Sequence, residues 1–139
     1  MLINIKLTND PLEGSPCPSS DPENQTGAWV EFRGLVRGTE NDAPIAALEY
    51  EAYQPMAEET IRQILTDIAA THRCQQVHVT HRLGVVPVGE AAIVVQVAAS
   101  HRGEAFALLT MFMDRLKQDV PIWKIRAVPR ELNKTPHQV

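Results

Sequence analysis

Long apolar runs are missing from this sequence. No segment approaches the roughly 20 consecutive apolar residues that a membrane-spanning helix needs, so no helical membrane span is expected. Cysteine is scarce as well. Cys17 and Cys74 stand far apart and form no CxxC or metal-ligand pair, and both read as ordinary reduced thiols. Positive charge is in the minority: 13 Lys+Arg stand against 17 Asp+Glu, a net charge of −4. A general electrostatic grip on nucleic acid is therefore not expected, and any anion must be held by a local basic cluster. No Ser-His-Asp pattern, glycine-rich phosphate loop or zinc spacing occurs. His72, His78, His81 and His137 form no HxxxH or HxH set and read as structural or exposed. Glu49 and Glu51 share a strand face but lack a third ligand in register, so no metal site is expected.

What is present suits one globular domain over residues 1–139, with 44% hydrophobic content for a single core. The first ten residues, MLINIKLTND, alternate apolar and polar positions and lack the continuous apolar centre of a signal peptide. A cytoplasmic protein is expected. Ile3, Ile5 and Leu7 predict a strand, and the Pro- and Ser-rich stretch of about 9–26 a loop. Further strands are predicted over 28–36 and 45–53. A helix should start at Pro55, carry Ile61, Ile64, Leu65 and Ile68 on one face, and end near Arg73. Val77 to Leu83 and Ala91 to Ala99 predict strands around a turn at Pro87-Val88-Gly89-Glu90. A second helix follows with Ser100 as its N-cap, and Pro121 stops it before a last strand over 122–128. This order is an α+β pattern: a mostly antiparallel sheet packed by two helices.

Three groups could carry chemistry. Ser100-His101-Arg102 sits at a strand-to-helix junction, where free N–H groups and the helix dipole attract anions. Arg102 opposes that dipole, so either it binds an anion or it is an exposed residue bonded to an acidic neighbour. Lys117, in a last helical turn, complements the dipole by itself. Lys124 and Arg126 share a strand face with Ile122, opposite Trp123 and Ile125, and taken alone they read as a charged face in water. The Pro121 turn could carry Lys124 back to Lys117, and two close amines depress each other's pKa, as nucleophiles and general bases require. Arg37 ends a strand before a glycine, a place that suits a phosphate or carboxylate grip, although a lone arginine is more often surface charge. If Arg37, His101, Arg102, Lys117, Lys124 and Arg126 converge, they make a small-anion site.

Those segments resemble the large, catalytic subunit family of molybdopterin synthases. The resemblance runs from about Gly27 to Ala127 through Phe32-Arg33-Gly34-Leu35-Val36-Arg37, Leu48-Glu49-Tyr50-Glu51-Ala52-Tyr53 and His81-Arg82-Leu83-Gly84. It continues through Ser100-His101-Arg102 with Ala105-Phe106, then Leu116-Lys117 and Pro121-Ile122-Trp123-Lys124. Each motif is weak, but all of them in order are a strong signal. After Trp123-Lys124 the family shows a basic residue and then an acid, where this chain has Ile125 and Arg126. The chain also stops at Val139, short of the family's longer tail.

The resemblance implies an α/β-hammerhead-like fold and a homodimer core that carries a small ubiquitin-like sulfur-carrier subunit at each end, a heterotetramer. The small subunit's C-terminal Gly-Gly would bear a thiocarboxylate. Two of its sulfurs would pass to cyclic pyranopterin monophosphate, making molybdopterin for molybdenum cofactor biosynthesis. No cofactor, metal or reactive cysteine is implied, because the sulfur arrives on the partner. By position, Arg37, His101 and Arg102 would hold the pterin and its phosphate, and Leu35 and Val36 would supply backbone at the pocket wall. Lys117 and Lys124 would act at the thiocarboxylate as acid/base groups and charge stabilisers, with Ile125 and Arg126 beside the substrate. A homodimer is also expected from the apolar residues of Ile93 to Val97 and Met111 to Met113, which exceed what one thin layer needs. Two rival functions are a non-catalytic module that binds a ubiquitin-like tail, which would need the groove but not the paired amines, and a small-anion-binding regulatory protein.

Overall fold

The computed structural model describes residues 1–13, 21 and 23–131. Cys17, His137 and residues 14–20 and 22 of the predicted 9–26 loop lie outside the described residues. The order is β1 (Leu2–Thr8), β2 (Ala28–Leu35), β3 (Thr39–Glu40), β4 (Ala43–Ala52), α1 (Gln54–Ala69), β5 (Gln76–Arg82), β6 (Gly84–Pro87), β7 (Ala91–Ala99), α2 (Arg102–Asp119) and β8 (Ile122–Pro129). The strands make two sheets. The larger runs β1-β5-β7-β2, with β1 parallel to β5 and the other pairs antiparallel. The smaller runs β3-β4-β6, with β8 on the other side of β4.

Alternation explains the larger sheet's inner face. Val77 and Val79 of β5, and Ile93, Val95, Val97 and Ala99 of β7, join Ile61, Ile64 and Leu65 of α1 and Leu108 and Phe112 of α2 in one core. Each such side chain contributes roughly 1.5–3 kcal/mol on burial. β7 is buried at all nine positions because it lies second from the edge with neighbours on both sides. Its apolar run is accounted for within one chain, so the expectation of a homodimer gains nothing from Ile93 to Val97. Val36, Ile45, Leu48, Val86 and Ala92 form a second, smaller core under the small sheet.

Several local expectations are corrected. α1 ends at Ala69, four residues before Arg73. The N-cap of α2 is His101, extended and without a side-chain capping bond. Ser100 instead accepts a hydrogen bond from Gln75 Nε2 at 2.7 Å, tying the junction to β5. Gly84 to Pro87 is a strand, which its short apolar run did not signal; Gly84 enters it at φ +81, where a side chain would be strained.

Candidate functional site

The two sheets and the C-terminal half of α2 enclose a cavity of about 440 Å³. Phe32, Gly34 and Leu35 of β2 form one wall, Tyr50 of β4 and His81 of β5 another. Met113, Leu116 and Lys117 come from α2, and Ile122 and Lys124 from β8. Their convergence has local causes. Gly34 faces Ile93 across the β2–β7 pair, and a Cβ there would stand 2.8 Å from Ile93 Cγ2. Only glycine keeps that wall thin. Val120 ends α2 in an extended conformation and Pro121 turns the chain, so β8 returns alongside β4 with Lys124 opposite Tyr50.

Lys117 and Lys124 thus line one cavity, Lys117 without an ion pair among the described residues. Lys124 Nζ donates to Glu40 Oε2 at 3.3 Å, which gives the amine an anionic partner. Tyr50 meets His81 edge-on, with ring centroids 5.3 Å apart and planes at 69°. Burial holds the Tyr50 phenol above its ordinary pKa, helped by the charge of Glu40. The walls otherwise carry apolar groups, so the cavity offers two amines in a largely apolar setting.

The remaining predicted residues are dispersed. Val36 is buried in the second core and contributes only backbone, its N–H to Glu90 O and its carbonyl to Gly89 N–H. Arg37 follows it, exposed and without an ion pair among the described residues. A bulge at Ile125 breaks the alternation of β8. Arg126 therefore pairs opposite Glu49 and donates to its Oε1 at 3.1 Å, while Lys124 pairs opposite Tyr50. Lys124 and Arg126 do not share a face, and neither Ile125 nor Arg126 lines the cavity.

His101 and Arg102 lie at the far end of α2. Fifteen helical residues at 1.5 Å each separate Arg102 from Lys117, about 22 Å along the axis. His101 borders a different cavity of about 650 Å³, together with Arg73, Gln75, Ser100 and Glu104. Cys74 is there too; burial, with the charge of Glu104 second, pushes its thiol up to about 11, so it stays protonated and unreactive. The predicted cluster does not close into one pocket within a single chain. Sequence reasoning missed two of the cavity's ionisable residues, Tyr50 and His81. The row Val77-Val79-His81 marked His81 as inward-facing, but the chain alone did not show that the row runs out into a cavity.

The fold and this cavity define a class: α+β proteins with two amines in an apolar cleft at the meeting of two sheets. The sequence profile of the MoaE protein family matches residues 7–119, and the chain belongs to that family. It is 39% identical over 121 residues to a protein of Aspergillus niger named molybdopterin synthase catalytic subunit, covering 87% of this chain and 67% of that one. The solved molybdopterin synthase of Staphylococcus aureus superposes with a TM-score of 0.77 at 27% identity, over 91% of each chain. A complex of subunits 1 and 2 of the molybdopterin-converting factor from Helicobacter pylori shares the fold, with a TM-score of 0.66 at 18% identity over 98% of this chain and 94% of that one.

Proposed function

We propose that this chain is the catalytic subunit of a molybdopterin synthase, transferring sulfur from the thiocarboxylated Gly-Gly tail of a small ubiquitin-like subunit to cyclic pyranopterin monophosphate. The observation that carries this reading is that Lys117 and Lys124 line one cavity of a MoaE-family chain. A tail of two glycines has no side chains to clash with Phe32, Met113 or Leu116. Its terminal thiocarboxylate is an anion that two amines attract, and the same amines stabilise charge growing on the carbonyl oxygen and on sulfur. The small partner is supported by the Helicobacter pylori complex, which shares the fold.

The pterin would be held by Arg37, His101 and Arg102. Because about 22 Å separates the two ends of α2, one pterin cannot reach Arg102 and Lys117 of the same chain. A complete site then takes its amines from one protomer and its anion-binding pair from a second, which gives the homodimer a catalytic reason. Leu35, Phe106 and Met111, 56%, 53% and 39% exposed, are apolar surface for such contacts.

The test is to mix this protein with thiocarboxylated small subunit and the cyclic pterin and to assay molybdopterin, with light scattering on the same mixtures. Molybdopterin from a complex holding two copies of this chain is expected. No product, or a stable monomer at micromolar concentration with and without the partner, would remove the reading.

A further inference from the structure

Sulfur transfer from a thiocarboxylate poses a problem that the two lysines leave open. Once sulfur has bonded to the pterin, the partner's terminal carbonyl carbon is still attached to it, and water must cleave that acyl–sulfur bond. The water must lose a proton as it attacks. Among the ionisable groups lining the cavity, Tyr50, His81, Lys117 and Lys124, the two lysines are engaged with the thiocarboxylate in the reading above, and a phenol is a feeble base. An imidazole nitrogen is the natural acceptor.

We propose that His81 is the general base of this cavity, its Nε2 taking a proton from the water that hydrolyses the acyl–sulfur bond. The assignment rests on the functional reading above and on three features of the fold. His81 belongs to the β5 row that faces the helices, with Ile93 of β7 beside it; it lines the cavity, and its ring meets that of Tyr50, another lining residue. Its Nδ1 lies 2.8 Å from the carbonyl oxygen of Arg82, which can only accept, so the proton sits on Nδ1 and the lone pair on Nε2. Nε2 has no partner among the described residues. Arg82 is itself anchored, its guanidinium donating to Glu90 Oε1 at 2.7 Å.

Burial holds the imidazole below its ordinary pKa, opposed by the bond to Arg82, so it is neutral and able to accept at pH 7. The titratable groups that face it are Tyr50 from β4, Lys117 from α2 and Lys124 from β8, the last with Glu40 of β3. Its neighbours on β1 and β7, Leu7 and Ile93, do not titrate.

The step balances without redox change. The water oxygen bonds to the carbonyl carbon as one proton passes to His81 Nε2. The carbon–sulfur bond then breaks, and its electron pair leaves with sulfur as a thiolate on the pterin. The partner's tail departs as a carboxylate after losing its second proton to solvent, and the imidazolium returns its proton to solvent.

His81→Asn tests this, because the asparagine amide can still donate to the Arg82 carbonyl but has nothing at the Nε2 position. In single-turnover assays on the assembled complex, formation of the covalent partner–pterin adduct should proceed as in wild type. Its hydrolysis should slow by about 10²–10⁴-fold, so mass spectrometry sees the adduct accumulate. The acid limb of the wild-type rate–pH profile, with an apparent pKa below 6.5, should vanish. Should the asparagine variant fail to fold, His81→Gln carries the same expectation. Wild-type turnover with an unchanged profile in the folded variant overturns the assignment, as does a slowed reaction without adduct. A wild-type protein that makes no product instead overturns the functional reading, and the assignment with it.

Discussion

The two ends of α2 make opposite use of similar charges. At the C-terminal end Lys117 suits the helix dipole and lines a cavity together with Lys124 and the buried His81. At the N-terminal end Arg102 opposes the dipole, lies exposed and has no ion pair among the described residues. One end is enclosed against a cavity; the other is open, and its charge at the helix N-terminus costs stability. A helix long enough to hold both also keeps them apart, and the difference teaches that its two basic ends cannot meet in one pocket of a single chain.

The largest effect should appear at the enclosed end. Lys124→Ala and Lys117→Ala should each abolish or severely reduce product formation, with stability within about 0.5 kcal/mol of wild type because neither is a core residue. Lys→Arg should fail to rescue at one position at least, since guanidinium does not lose its proton and differs in shape. Single-turnover assays with preformed thiocarboxylate measure this directly. Full activity in the double alanine variant would break the comparison and leave a tail-binding module as the better account.

At the open end, Arg102→Ala should weaken pterin binding by one to two decades, or about 1.5–3 kcal/mol, with partner binding intact. Calorimetry with the cyclic pterin checks it, and unchanged affinity would reduce Arg102 to a surface charge. Mixed dimers sharpen the point. At subsaturating pterin, one chain carrying Lys117→Ala and Lys124→Ala, paired with one carrying Arg102→Ala, should exceed the activity of either parent homodimer, because one composite site stays whole. Activity no better than the parents would mean that each chain's site is self-contained.

Two glycines contrast the ends by packing alone. Gly34→Ala should cost about 1–3 kcal/mol, because its Cβ meets Ile93 in a filled wall, and it should narrow the cavity. Gly103, in the first turn of α2, has nothing within 4 Å of an added Cβ, so Gly103→Ala should stabilise by about 0.4–1 kcal/mol. Denaturant melts with opposite shifts in midpoint would meet both expectations.

The smallest effect is one of pH. Burial lowers the pKa of His81 and His78 below the ordinary 6.5 in the folded state. The unfolded chain then binds more protons as pH falls through that value, so stability is full above it and declines on acidification. The thermal midpoint should fall between pH 7 and 5. His81→Asn should flatten that slope more than His78→Asn, because His81 is the more buried of the two. Equal slopes in all three proteins would count against a neutral, buried His81.

Much of this was legible in the chain. Period-2 alternation in β5 and the 3.6-residue stripe of α1 are local patterns, set by which residues each element must bury. Pro121 ended α2 by restricting Val120, and the order of elements followed. The motif around Lys117 and Pro121-Ile122-Trp123-Lys124 likewise named both amines. Three things needed the tertiary structure. The bulge at Ile125 has no sequence mark, since a bulge is fixed by how β8 registers against β4, and it sends Arg126 to Glu49. His81 looks like any inward strand residue until the two sheets part and leave a cavity at the end of its row. Whether six basic residues converge depends on the rigid length of a helix between them. The sequence listed the charges; α2 decided that one chain could not bring them all together.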